Sequence, residues 1–113
     1  MRYEAIPALN REQIECDLAG GDSKAMSHAI LSASLYDSDW QWAQGVCLRY
    51  LDHPDKQIRW NAVTGLSHIA RIHRRLDTDI VITRLKARLN DAEIAANVED
   101  SLSEILWWLR PER

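Results

Sequence analysis

Apolar residues in this chain recur at intervals of three and four, the spacing that lays them along one side of an α-helix. Between 56 and 75, Ile58, Ala62, Gly65, Leu66, Ile69 and Ile72 share one face, and Ile94, Val98, Leu102, Ile105 and Leu109 do the same further on. No stretch alternates apolar and polar residues convincingly at period two, so no β-sheet is expected. Gly20-Gly21 and the prolines fall between the periodic segments, and the chain divides into about six helices. The first spans about 10–18 and stops at Ala19-Gly20-Gly21. The second starts from an Asp22 cap and reaches 35, Ser38 or Asp39 caps the third at 40–51, and His53-Pro54-Asp55 breaks the chain and caps the fourth at 56–75. Asp77 or Thr78 caps the fifth, which reaches 89, and Asn90-Asp91 caps the sixth, which ends before Pro111. Each cap places a side-chain oxygen where it accepts from a first-turn N–H that has no partner inside the helix.

The helical segments repeat. Asp55, Ile58, Ala62, Leu66 and Ile69 recur 36 residues later as Asp91, Ile94, Val98, Leu102 and Ile105, a cap followed by apolar residues at +3, +7, +11 and +14. A weaker copy lies 33 residues earlier, as Asp22, Ala25, Ala29, Ala33 and Tyr36. The second helix of each hairpin is therefore one unit written three times. A period in the thirties, built from helix pairs joined by short turns, predicts an all-α fold. The expected form is a right-handed α-solenoid of about three antiparallel hairpins, one domain over residues 1–113, in which each hairpin buries its apolar stripe by stacking on its neighbours.

The clearest copy, HPDKQIRWNAVTGLSHIA, resembles the second half of a HEAT repeat. Pro54-Asp55 stands at the turn inside the repeat, Ile58-Arg59 where that family has an aliphatic-arginine pair, and Ala62 and Leu66 on the packing face. The resemblance implies a buried polar clamp at Arg59; in the last hairpin Ala95 stands in the arginine's place. More narrowly, DSDWQWAQGVCLRYLDHPDKQIRW followed by GLSHIARIHRRLD resembles a group of small bacterial HEAT-like proteins, of the kind found among immunity proteins that neutralise a toxin from the same system. That resemblance implies inhibition by binding. It transfers neither a catalytic residue nor a set of contact positions, so candidate sites come from the helix faces.

Composition sharpens the choice of partner. The chain has 113 residues, 46% hydrophobic and 27% charged, enough for a folded core and far from the composition of disordered chains. Its 17 acidic and 14 basic residues give a net charge of −3, which supplies no global attraction for phosphate backbones or anionic lipid. Nucleic acid and membrane are therefore not the expected partners. The N-terminal stretch is interrupted by Glu4 and Pro7, and no apolar run approaches the ~20 residues of a membrane span. A cytoplasmic protein is expected. Cys16 and Cys47 have no metal-like spacing and both fall on apolar positions of helical stretches, as two reduced core thiols would.

The polar faces carry the candidate contacts. Opposite the apolar side of the fourth helix lie Trp60, Thr64, Ser67, Arg71 and Arg74. Trp60 and Arg71 are the residue types most enriched at interface hot spots, and in a solenoid this stripe would line one presented surface. The competing reading packs Trp60 against the adjacent hairpin. On the sixth helix Glu93, Asp100, Glu104 and Trp107 lie away from the core: carboxylates beside an indole fit a basic protein surface, and they equally suit a terminal helix that needs a polar outer side. Trp40 falls on the buried side of the third helix with Ala43 and Cys47, whereas Trp42 lies with Gly45 and Arg49, between packing and exposure. His68, Arg71, His73, Arg74 and Arg75 cluster near a helix C-terminus, where cations complement the dipole; a phosphate contact is the sharper alternative.

No residues point to catalysis. The four histidines never pair at i, i+4, no HExxH or Cys/His set occurs, and GxGxxG, GxxxxGK[ST] and GxSxG are absent. The expectation is a non-enzymatic protein without metal or small-molecule cofactor. It would work by binding a protein partner, a bacterial toxin with a basic surface such as a secreted nuclease, and occluding its active site through Trp60, Arg71, Trp107, Asp100, Glu104, Glu93 and Trp42. A scaffold or regulatory HEAT module unrelated to toxins is the alternative.

Overall fold

Six α-helices follow one another in the computed structural model: α1 (Arg11–Gly20), α2 (Ser23–Tyr36), α3 (Trp40–Arg49), α4 (Lys56–His73), α5 (Thr78–Lys86) and α6 (Ala95–Trp108). The structure describes residues 5–111, so Glu4 lies outside it, and no strand occurs among the described residues. No helix there is long and apolar enough to cross a membrane. Helices α2, α3 and α4 open as the caps predict, and Asn10 caps α1. Asn10, Asp22, Asp39 and Asp55 each accept from a first-turn backbone N–H at 2.8–3.2 Å.

Neither of the last two helices opens on a side-chain cap bond. Asp77 stands at the N-cap of α5, yet its carboxylate accepts from Gln44 Nε2 at 2.7 Å while its own N–H donates to Gln44 Oε1 at 2.7 Å. The side chain that would cap α5 instead pins the α4–α5 turn to α3. Helix α6 begins at Ala95 rather than after Asp91: the Asp91 carboxylate accepts from the Glu93 N–H at 3.1 Å with one oxygen and from Arg59 Nε at 3.0 Å with the other, and residues 92–94 form a turn. Helix α4 stops at His73, two residues short of expectation, where Arg74 takes a left-handed conformation (φ 55°) and its guanidinium stacks 5.0 Å from the Trp108 ring centre. Helices α3 and α5 also end early, at Arg49 and Lys86.

Helix α4 is the centre of the packing: α2 lies along one side, α6 along the other, and α3 beneath. Helix α1 packs on α2 and α5 on α6. The core runs through all of them, with Ile14, Ile30, Val46, Leu51, Ile58, Leu66, Ile69, Leu85, Ile94 and Ile105 fully buried. Having neighbours on three sides, α4 buries far more than one stripe. Arg59, Asn61, Val63 and Ser67 join Ile58, Ala62, Leu66 and Ile69 in the interior. At Gly65 the helices approach so closely that a Cβ would lie 2.4 Å from Ser34 Oγ and 2.6 Å from Cys47 Sγ.

Polar bonds between elements recur at sequence separations of 32–37, the interval between matching positions of successive hairpins. Arg59 is the largest of these junctions. Its guanidinium, on a residue 8% exposed, reaches Asp91, Glu93 and the carbonyls of His53 and Pro54 at 2.5–3.0 Å, joining the α3–α4 turn to the α5–α6 turn. Ser23 Oγ donates to Asp55 in the same way at the starts of α2 and α4.

Three burial expectations are corrected. Cys16 is exposed, since α1 is a peripheral helix that buries Ile14 and Leu18; Cys47 is buried. Ile72 is 40% exposed in the last turn of α4, and Tyr36, the last apolar position of the weak copy, is 53% exposed at the end of α2.

Candidate partner-binding surface

Helices α2, α4 and α6 lie side by side, so residues on their common outer side form one surface. The α6 share of it is acidic and aromatic. Leu106 and Trp107, 58% and 56% exposed, are the most exposed large apolar side chains among the described residues. Trp107 is held in place rather than free: Arg110 stacks 3.5 Å from the ring centre and donates to the Trp107 carbonyl at 2.6 Å. Around it stand the exposed carboxylates of Glu99, Asp100 and Glu104. Glu104 accepts from Ser67 Oγ at 3.2 Å; Glu99 and Asp100 make no bond to another described residue. A fixed indole beside uncommitted carboxylates has the chemistry to anchor on a cationic surface.

The α4 share is different in kind. Arg71 is exposed, and a guanidinium nitrogen lies 3.3 Å from His68 Nδ1. Burial, with Arg71 nearby, pushes the His68 imidazole below its ordinary value of 6.5. Trp60 is half-buried: its ring packs on the core and walls a cleft with Leu31, Leu35, Asn61, Thr64 and His68, and its carbonyl accepts from Asn97. Both readings of Trp60 thus hold in part, since one side of the ring is packed and the other borders open space.

Two of the candidate residues sit apart from this surface. Trp42 is half-buried on α3 beneath Arg11, whose guanidinium lies 4.6 Å from the ring centre. Glu93 faces the Arg59 clamp, which commits its carboxylate to the fold. Of the basic cluster, Arg74 stacks on Trp108 and His73 is half-buried, which leaves Arg71 and Arg75 outward. Conversely, sequence reasoning passed over Leu106 and Glu99. Both lie off the inward stripe of α6, and an apolar residue at such a position was the signal for Leu106.

Against solved structures, the chain is similar to one in the CDI complex from Cupriavidus taiwanensis LMG 19424, with a TM-score of 0.87 and 27% sequence identity over 96% of this chain and 97% of that one. No protein-family model matches the sequence, and no curated protein does either.

Proposed function

We propose that this protein is an immunity protein of a contact-dependent growth inhibition system, which binds a cognate toxin domain and occludes its active site. The observation that carries the reading is the end-to-end similarity to a chain of a CDI complex, at an identity high enough to concern more than a shared helical shape. The sequence resemblance to HEAT-like immunity proteins supports the same reading. We read the stacked hairpins, with polar bonds repeating at the hairpin interval, as a short right-handed HEAT-like solenoid.

In this reading the surface of α4 and α6 does the work. Trp107 and Leu106 seat against the toxin, Asp100, Glu99 and Glu104 pair with its cations, and the bulk of the helices excludes substrate. Such a mechanism asks for no chemistry from the inhibitor, only for rigidity and complementary charge. Trp60 and Arg71 border the contact on the α4 side. A basic toxin surface is the matching partner, and that of a nuclease fits, because an enzyme that binds phosphates presents cations.

Co-expression with the product of the adjacent reading frame tests the proposal. Rescue of cells from that product, together with a stable complex on purification, is the expected result. A neighbour that is harmless alone and does not co-purify overturns it. Within a confirmed complex, Trp107→Ala is expected to weaken binding by ~2 kcal/mol with an unchanged melting temperature.

A further inference from the structure

We propose that the cleft between α2 and α4 receives an extended segment of the partner protein, with an apolar side chain at its centre and a carboxylate toward the Arg71 end. The proposal rests on the inhibitor reading and names a second, uncharged part of the contact.

It starts from a difference between two equivalent junctions. At the α4–α6 junction, Asn97 Nδ2 donates to the Trp60 carbonyl at 3.0 Å and to Thr64 Oγ1 at 3.2 Å, while Ser67 donates to Glu104. These bonds close the seam. One repeat earlier, Asn61 holds the position of Asn97, and Ser27 and Leu31 hold those of Trp60 and Thr64. Leu31 has no oxygen to offer, and the amide of Asn61, a residue 9% exposed, bonds to nothing among the described residues. Ser27 Oγ, on a residue 6% exposed, is likewise buried without a partner. Native proteins seldom leave a buried hydroxyl unmatched, and beside it Asn61 borders the open cleft.

The open seam has room for a ligand. Two hollows of about 450 and 530 Å³ share Ile6, Leu31 and Asn61 and form one cleft along α4, from Gln57 to His68. The eleven helical steps from Gln57 to His68 span roughly 16 Å, the length of about five residues of extended chain. The floor is apolar at Leu31, Leu35 and Trp60. An Asn amide offers a donor and an acceptor together, which is what the main chain of an extended peptide requires. Among the described residues no carboxylate lines either hollow, and Arg71 reaches His68 at one end. Charge therefore favours an acidic or neutral segment here, in contrast to the cationic surface that suits α6.

The test is calorimetric titration of the toxin domain encoded beside this chain with wild type, Asn61→Ala, Leu31→Arg and Leu31→Thr, each with a melting curve. Leu31→Arg fills the cleft, and Leu31→Thr supplies the hydroxyl that Asn61 lacks and so closes the seam from within. The proposal expects affinity to fall roughly tenfold or more in all three, with Leu31→Thr and Asn61→Ala melting close to wild type. Folded variants that bind within about twofold of wild type would overturn the cleft proposal while the inhibitor reading stands. A toxin domain that fails to bind wild type overturns both.

Discussion

Among the described residues, Gly65 is the one glycine of the four at which a Cβ would meet other atoms, and the limit is set by single atoms. A methyl group there would meet Ser34 Oγ and Cys47 Sγ, both fully buried, and Ser34 is already bonded to the Ile30 carbonyl. Alanine has the higher helix propensity by about 1 kcal/mol, but overpacking a closed core costs more. Gly65→Ala is expected to lower stability by ~1–3 kcal/mol, read as a lower denaturation midpoint with an unchanged denaturant slope. Cys47 shares that environment, where burial pushes its thiol up to about 12 and keeps it unreactive. Several residues shape the acid limb of stability, His68 and Asp37 among them. His68 is held below its ordinary 6.5, so the unfolded chain binds the proton more readily. Its contribution is complete above pH 6.5 and is lost as the pH falls toward the folded value. Arg11 holds Asp37 below 3.8, so a second loss begins under that pH. His68→Gln should flatten the first slope in a series of melting curves while leaving the second; an unchanged first slope would remove His68 from this account.

At the scale of elements, Arg59 decides more than any apolar residue about how the last hairpin sits. It gathers two carboxylates and two carbonyls from two separate turns, a geometry a planar guanidinium meets and a lysine does not. Arg59→Ala leaves carbonyls of His53 and Pro54 unpaired inside the junction and is expected to destabilise by ~2–4 kcal/mol, with the discount that the Glu93 side chain is 60% exposed. Arg59→Lys should recover only part of that. Loss of protection in amide exchange across residues 91–105, with α1 and α2 unaffected, is the accompanying signature; a uniform loss would show that Arg59 supports the whole fold equally.

For the whole molecule, the distribution of charge matters more than its sum. The folded chain measures 40 × 32 × 31 Å, small enough that the α6 carboxylates and the Arg71 end of the cleft act within about one or two Debye lengths of each other. Steering by Glu99, Asp100 and Glu104 should make association with the toxin domain salt-dependent. Reversing Glu99 and Asp100 together to lysine is expected to slow association about tenfold at low salt with a smaller change in dissociation, measured by stopped flow. An association rate indifferent to salt would leave the acids as a solvated outer face, the role they would have on any terminal helix.

The sequence by itself determined the helices and which residues could be inside. Period and punctuation are local properties, and they placed all six elements and the caps at Asp22, Asp39 and Asp55. Identity of residue type was enough to single out Trp107, Asp100 and Glu104, which lie outward on one helix. Only the tertiary structure decided what each polar residue is used for. Whether Glu93 meets a partner or Arg59, whether Asp91 serves a guanidinium besides the turn that follows it, and whether Asn61 and Asn97 share a role depend on what faces them across a seam. A helical wheel shows one helix against an undefined neighbour; α4 has three, and the difference between a closed and an open seam is the hydroxyl that Thr64 has and Leu31 does not.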